Sequence, residues 1–129
     1  MRVLPNREAK TIMDAAIEML MPFKQWLHTI TTDNGKEFAM HQEIAKALEI
    51  EYYFAHPYHS WERGANENLN GLVRQYFPKG TSFENVTNQR VEQVVNILNN
   101  RPRERLNFYT PNEVMNMIIN NNANVALLN

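Results

Sequence analysis

The sequence predicts one helix-rich α/β domain, and three observations carry this prediction. Apolar residues recur at three- and four-residue steps over residues 7–21, as they do on a helix with one buried face. Two β-favouring runs, at 26–32 and 50–54, lie on either side of a second helical pattern over 37–48. With 129 residues and 43% hydrophobic content, the chain is long enough for one core and too short for two comfortable ones.

The first half of the chain contains clear start and stop signals. Residues 1–4 are interpreted as the end of a strand, and Asn6 is expected to cap the first helix. Pro22 is expected to end that helix. After the strand that closes at residue 32, Asn34 and Gly35 predict a tight turn with positive φ.

Three further helices are predicted in the second half. The third covers about 62–76, and Thr87 is expected to cap the fourth. The buried stripe of the fourth helix is expected to consist of Val91, Val94, Val95 and Leu98. Thr110 has the sequence context of a capping box that opens a last helix. We therefore assign residues 1–119 to the domain and 120–129 to a polar C-terminal tail.

Composition excludes several classes of function. The chain has 13 basic and 14 acidic residues and a formal charge of −1, so any nucleic-acid binding must come from local patches. The absence of cysteine excludes disulfides, thiolate zinc sites and cysteine nucleophiles. No apolar run approaches the roughly 18 residues of a membrane span, and the first residues do not form a signal peptide. The sequence thus predicts a soluble cytoplasmic protein.

Two carboxylates stand out as candidates for chemistry. Asp33 follows a β-branched run and precedes a turn, an arrangement that projects the acid from a strand end. On the third helix, at about 100° per residue, Glu67 falls on the face opposite to the apolar one. That apolar face is expected to consist of Ala65, Leu69, Leu72, Val73 and Tyr76. Two converging carboxylates suit magnesium or manganese, which prefer oxygen ligands and keep several waters for substrate phosphates.

Each candidate also has a purely structural interpretation. Asp-Asn-Gly after a strand is most often only a turn, and a helix carboxylate is usually solvated. His56 and His59 are interpreted equally well as contacts to DNA or a metal and as loop residues held by packing. Trp61 can stack on a base or fix its loop to the core. The basic cluster of Arg101, Arg103 and Arg105 suits either DNA phosphates or a solvated connection between helices.

Four ordered motifs carry a resemblance to a known family. They are Thr32-Asp-Asn-Gly-Lys-Glu-Phe38, the segment from His56 to Gly71, Asn99-Asn-Arg-Pro102 and Thr110-Pro-Asn-Glu113. Together they closely resemble the catalytic core of bacterial insertion-sequence DDE transposases of the insertion sequence 30 family, which is similar to retroviral integrase cores. The 33 residues between Asp33 and Glu67 match the spacing of the second and third acids in that group.

The resemblance implies an RNase H-like, three-layer fold and a metal-dependent cut-and-join reaction on DNA ends. Asp33 is then the second acid and Glu67 the third, and the complete parent binds two Mg²⁺ or Mn²⁺ ions. The residues expected to contact DNA are Lys36, Arg63, Asn66, Asn70, Arg74, Arg101 and Arg103. Transposon ends, target DNA and a second copy of the chain are the implied partners.

The first acid of the triad has no counterpart in this sequence. In the family it lies on an opening strand, before the position that matches Met1, and Asp14 cannot replace it from within the first helix. We therefore expect an N-terminally truncated core whose first strands are missing, with weak or absent metal binding and no activity alone. Two alternatives stay open. One is a non-catalytic remnant that binds DNA or another copy, and the less favoured one is an RNase H-type nuclease.

Overall fold

The computed structural model describes residues 1–58 and 64–120, and it is helix-rich with a small parallel sheet. In chain order the helices and strands are α1 (Ala9–Leu20), β1 (Thr29–Thr32), α2 (His41–Leu48), β2 (Glu51–Phe54), α3 (Gly64–Arg74), α4 (Asn88–Asn99) and α5 (Pro111–Ile119). Short 3₁₀ helices occur at Met21–Trp26, Lys36–Phe38, Phe83–Asn85 and Glu104–Leu106. The predicted α/β class is confirmed. No helix in the described ranges has the length and apolar character needed to cross a membrane.

The chain divides into two compact units. One unit is Leu4–Leu69, and the other combines Met1–Val3 with the chain from Asn70 onward. The division falls within α3, between Leu69 and Asn70. The assignment of residues 1–119 to a single domain stays a prediction.

The unit Leu4–Leu69 is built around the two strands. β1 and β2 pair in parallel, and the intervening α2 supplies the crossover that a parallel pair requires. The His41 ring, at the start of α2, lies 4.8 Å from the ring of Phe54 and 5.5 Å from that of Tyr52. Ile44 and Leu48 of the same helix are buried. The spacing of apolar residues along α2 therefore directs one helix face inward, and its first residue packs with aromatic side chains of β2.

The second unit has its own apolar core. The buried residues are Phe77, Val91, Val94 and Leu98, with Val95 partly buried against them. The predicted stripe of α4 is thus confirmed, since residues at three- and four-residue steps share one helix face. Val3 also packs against this core.

The predicted helix caps are largely confirmed. The Thr87 hydroxyl accepts the Arg90 N–H at 3.1 Å. At α5 the Thr110 hydroxyl accepts the Glu113 N–H at 3.1 Å, and the Glu113 carboxylate accepts the Thr110 N–H at 2.6 Å, which completes the capping box. Asn6 accepts the Glu8 N–H at 3.0 Å, so it organises the chain just before α1 without occupying the cap position itself.

The predicted boundaries were partly wrong. Residues 1–4 form no strand, because Val3 packs on the helical core instead. The end of the first helix predicted at Pro22 is confirmed, since α1 ends at Leu20, and the chain continues as the 3₁₀ helix Met21–Trp26 because proline is tolerated in a first turn. The helix predicted over 37–48 is divided into a 3₁₀ turn and α2.

The apolar face predicted for α3 was wrong in its first half. Ala65 and Leu69 are exposed, Leu69 by 47%, although Leu72, Val73 and Tyr76 pack against the core. Periodicity alone assigns these residues to one face, but whether that face is covered depends on what packs there. The tail predicted for 120–129 lies outside the described residues, apart from Asn120.

We expect Thr110→Ala to lower the free energy of unfolding by about 1 kcal/mol, because it leaves the Glu113 N–H without its side-chain acceptor. Urea unfolding followed by circular dichroism measures the effect. Thr110→Ser keeps the hydroxyl and serves as the matched control, with a loss expected to be much smaller. Equal losses in the two variants would contradict a capping role.

Candidate functional site

The carboxyl ends of the two strands meet at one edge of the sheet. Thr32, the last residue of β1, is paired with Phe54, the last of β2, and the Ala55 N–H donates to the Thr32 carbonyl at 2.7 Å. Because the strands are parallel, the residues that follow them emerge side by side. In α/β proteins this edge is where ligands commonly bind.

A cleft of about 320 Å³ lies at this edge. It is lined by Asp33, Asn34, Phe54, Ala55, His56, Pro57 and Tyr58. Asp33 and His56 are both exposed, so a carboxylate and an imidazole lie in one cleft. The strand-end position predicted for Asp33 is therefore confirmed, whereas its catalytic role stays a prediction.

A chain of hydrogen bonds runs from the second strand to the backbone of Asp33. The Thr32 hydroxyl donates to the Asp33 carbonyl at 2.9 Å, and the Tyr52 hydroxyl lies 3.1 Å from the Thr32 hydroxyl. Either hydroxyl can be the donor in the contact between Tyr52 and Thr32. Sequence reasoning missed this role of Tyr52, although the alternation of β2 already put Tyr52 and Phe54 on one face.

The groups around the Tyr52 hydroxyl shift its pKa. Partial burial raises the pKa of the Tyr52 hydroxyl above its ordinary value of 10.0, and the negative charge of Asp33 raises it further. The hydrogen bond with Thr32 acts in the opposite direction. The neutral phenol is thus the form that the fold stabilises.

The turn after Asp33 differs from its prediction. Gly35 has φ −77° and ψ 151°, an extended conformation, and Asn34 is not among the residues with positive φ. A Cβ on Gly35 would meet the carboxylate end of the flexible Glu37 side chain, so space does not by itself require glycine here. The positive-φ turn expected for Asn-Gly was therefore wrong, and the chain reverses through the 3₁₀ turn Lys36–Phe38 instead.

Glu67 is exposed in the first turn of α3, in the same compact unit as Asp33. Asn66, predicted to contact DNA, is exposed beside it. Within residues 1–58 and 64–120, no three His, Cys, Asp or Glu side chains form a group that could hold a metal ion. The described residues therefore supply no complete three-ligand metal site.

The arginines predicted to contact DNA differ in their surroundings. Arg74 is exposed, and its Nη1 donates to the Phe77 carbonyl at 3.4 Å. Arg103 is half-buried, and its Nη2 donates to the Leu98 carbonyl at 2.7 Å, near the end of α4. Arg101 is exposed. Arg103 thus has a structural contact that the basic cluster in the sequence did not predict.

The other predicted contacts lie in different parts of the chain. Lys36 comes two residues after Asn34, which lines the cleft, and it is exposed. Asn70 on α3 is exposed too. Arg63, His59 and Trp61 lie outside the described residues. The roles predicted for all of them stay predictions.

A second, larger cleft occurs in the same unit. Its volume is about 530 Å³, and it is lined by Met21, Pro22, Lys24, Gln25, Leu48 and Glu49. Lys24 and Glu49 form an ion pair, with Nζ of the lysine 3.2 Å from Oε2 of the glutamate. No residue predicted to act in catalysis lines this cleft, so the strand-end cleft is the better candidate despite its smaller size.

We expect Asp33→Asn to lower the pKa of Tyr52, because it removes a negative charge that opposes phenolate formation. In the parent chain, the stability contributed by neutral Tyr52 is fully present below pH 10 and is lost as the pH rises through the raised pKa. Tyrosinate absorbance measures the titration, with the spectrum of Tyr52→Phe in each background subtracted. Asp14→Asn, at an exposed site on α1, is the control, and an unchanged Tyr52 titration in Asp33→Asn would contradict the proximity.

Comparison with known proteins identifies homologues of the chain. It is 57% identical, over 122 residues, to the transposase for insertion sequence element IS4351 of Bacteroides fragilis, a match that covers 95% of this chain and 37% of that protein. It is 45% identical, over 87 residues, to the transposase InsI for insertion sequence element IS30A of Escherichia coli, covering 67% of this chain and 23% of the relative.

A more distant match is the putative integrase ORF3 of Spiroplasma virus SpV1-R8A2 B, 33% identical over 85 residues, 66% of this chain and 26% of that protein. No family model and no solved structure matches. In these three matches the chain spans between 23% and 37% of the relative. The resemblance stated from the motifs is confirmed, and the homologues of this chain are insertion-sequence transposases, among them the transposase of IS30.

Proposed function

We propose that this chain is part of the catalytic core of a DDE transposase with an RNase H-like fold, which cuts and joins DNA in a reaction that depends on Mg²⁺ or Mn²⁺. The single observation that carries the proposal is Asp33, an exposed carboxylate in a cleft at the carboxyl ends of two parallel strands. The names of the relatives, as transposases, support the same function. The reaction would take place in the cytoplasm, where bacterial DNA is accessible.

The donor atoms present fit a hard divalent cation in part. Asp33 and Glu67 offer exposed carboxylate oxygens, and Mg²⁺ is often held by one or two carboxylates together with water and substrate phosphates. A bound ion would activate the attacking water or hydroxyl and stabilise the departing oxygen. Because the described residues offer no three-ligand group, we infer that full activity needs a further carboxylate from the complete transposase. The chain alone should bind metal weakly and be inactive.

Other residues of the chain have supporting roles in this proposal. Tyr52 and Thr32 hold the backbone of Asp33, which limits where its carboxylate can lie. His56 lines the same cleft, and its imidazole suits a contact to a DNA phosphate or a water molecule. Such positioning matters because small displacements of a catalytic group reduce rates strongly.

We assign the exposed surface of α3 to DNA. Asn70 and Arg74 lie four residues apart and are both exposed, so they share one side of the helix, and Asn66 is exposed in its first turn. Gly71 lies within the helix, where glycine costs roughly 1 kcal/mol relative to alanine, and no described atom lies within 4 Å of a Cβ built on it. A glycine that no internal packing requires leaves room for the close approach of a nucleic-acid backbone.

We expect Asp33→Asn and Glu67→Gln each to reduce Mn²⁺ binding severalfold, because each removes one oxygen ligand. Manganese electron paramagnetic resonance on the 129-residue chain measures free and bound ion. The matched controls are Asp14→Asn and Glu43→Gln, which remove exposed carboxylates from α1 and α2. A loss of Mn²⁺ binding as large in the controls as in the site variants would assign the binding to general surface charge.

The same four substitutions test the reaction in a longer transposase that supplies the remaining acid. Strand transfer between labelled DNA ends should fall at least a hundredfold in Asp33→Asn and Glu67→Gln while the fold survives, in keeping with the loss of a transition-state ligand, worth roughly 3 kcal/mol. Retained joining in either variant would refute the assigned roles. Cleavage of an RNA–DNA hybrid without DNA joining would favour the nuclease alternative.

We expect Arg101 and Arg103 to differ when each is replaced by glutamine. Arg101→Gln should weaken duplex binding for all sequences and reduce the slope of log affinity against log salt by about 0.9, the value for one phosphate contact. Arg103→Gln should instead lower the free energy of unfolding by about 1 to 2 kcal/mol, because it removes the hydrogen bond to the Leu98 carbonyl. Salt titrations and urea unfolding of both variants separate the two roles, and identical behaviour would contradict them.

A further inference from the structure

We propose that the loop of residues 103–109 presents Phe108 as a stacking platform for an unpaired DNA base. The proposal rests on the proposed function only in taking DNA as the partner. It does not depend on metal binding or on Asp33, and all the residues that carry it belong to one compact unit.

The loop has an unusual backbone. Asn107 and Phe108 both have positive φ, 51° and 65°, so two consecutive residues other than glycine are left-handed. Asparagine tolerates this region, but for a bulky residue such as phenylalanine it is a true outlier, because Cβ approaches the backbone too closely. Such strained residues cluster at functional sites.

Hydrogen bonds fix the strained conformation. The Arg103 carbonyl accepts the Phe108 N–H at 2.9 Å, and the Arg103 N–H donates to the Tyr109 carbonyl at 3.1 Å. The Arg103 guanidinium in turn binds the Leu98 carbonyl at 2.7 Å, which attaches the loop to the end of α4. Arg103 therefore anchors the loop, and the position of Phe108 is determined by its surroundings.

The backbone strain at Phe108 is not offset by packing of its phenyl ring within the fold. Phe108 is 71% exposed, so burial of its side chain does not compensate for the backbone strain. Glycine would adopt the same φ without that strain, and asparagine with less of it. A rigid, exposed aromatic ring in a strained position is better explained by a ligand that contacts it.

The charged residues near Phe108 in the sequence favour a nucleic acid. Arg101 and Arg105 are exposed, and neither forms an ion pair with any residue in the described ranges. Glu104 is the one acid among residues 101–110. Exposed cations next to an aromatic platform are the usual features of sites for single-stranded nucleic acid, in which cations meet phosphates and bases stack on rings.

Whether a DNA base can stack on the Phe108 ring depends on whether that DNA is paired in a duplex. In a continuous duplex the faces of the bases are covered by their neighbours, so only the cations can contribute. An unpaired base exposes its face to Phe108. The structure therefore favours single-stranded or frayed DNA over duplex at this loop.

The test measures DNA binding by fluorescence anisotropy with labelled single-stranded and duplex oligonucleotides of equal length, in low salt and with a metal chelator. Phe108→Asn keeps a residue that tolerates the left-handed conformation and removes the ring. We expect its affinity for the single strand to fall roughly tenfold, the loss of one stacked base, and its affinity for duplex to be unchanged. Its melting temperature should equal or exceed that of the parent chain.

Two further variants control for other effects. Phe108→Trp keeps a stacking ring and should bind the single strand at least as well as the parent. Phe83→Asn removes another exposed phenyl ring of the same unit, one that adjoins Glu84 instead of arginines, and should leave single-strand affinity unchanged. Melting curves for each variant establish that the chain is folded.

Three results would overturn the proposal. They are no single-strand binding by the parent chain, parent-like single-strand binding by Phe108→Asn, and an equal loss for single strand and duplex in that variant. Because binding is measured with a metal chelator present, the result does not depend on a bound ion. A negative result for Mn²⁺ binding therefore does not contradict the role of Phe108. A negative result for single-strand binding likewise does not contradict the metal site.

Discussion

The parallel register of β1 and β2 is the constraint on which the candidate site depends. With Thr32 opposite Phe54, both strands end at the same level, and their following residues form one cleft. A slip of one residue would turn the side chains of β2 to the other face, and Tyr52 would lose its contacts with Thr32 and the His41 ring. Packing of α2 on the sheet and the position of Asp33 are thus set by the same pairing.

Features encoded by neighbouring residues were predictable from the sequence. The caps at Thr87 and Thr110 depend on side chains within three positions, and the end of β1 before Asp33 follows from a β-branched run. The conformation at Gly35 was not predictable in this way. Local preference favours positive φ after asparagine, but Gly35 is extended and leads directly into the 3₁₀ turn Lys36–Phe38.

The left-handed residues illustrate the same limit. Glu49, Tyr58 and Phe108 have positive φ, and none of them is a residue type that signals such a backbone. Glu49 follows the last residue of α2, where a left-handed residue commonly ends a helix, and the Phe108 N–H donates to the Arg103 carbonyl. The arginines are similar, since nothing in the sequence separates Arg103, which binds a carbonyl, from the exposed Arg101. A guanidinium has five donors, and the fold decides how many of them remain for a partner.

The exposure of the two acids has a consequence for how metal and DNA would act together under the proposed function. Under that proposal, two exposed carboxylates would hold Mg²⁺ weakly, because the ion gives up its water reluctantly. A DNA phosphate at the cleft would add the missing oxygen ligands. Each partner then raises the affinity of the other by the same factor, since coupling between binding free energies is reciprocal. Weak metal binding by Asp33 and Glu67 alone is thus compatible with a site that assembles fully only on DNA.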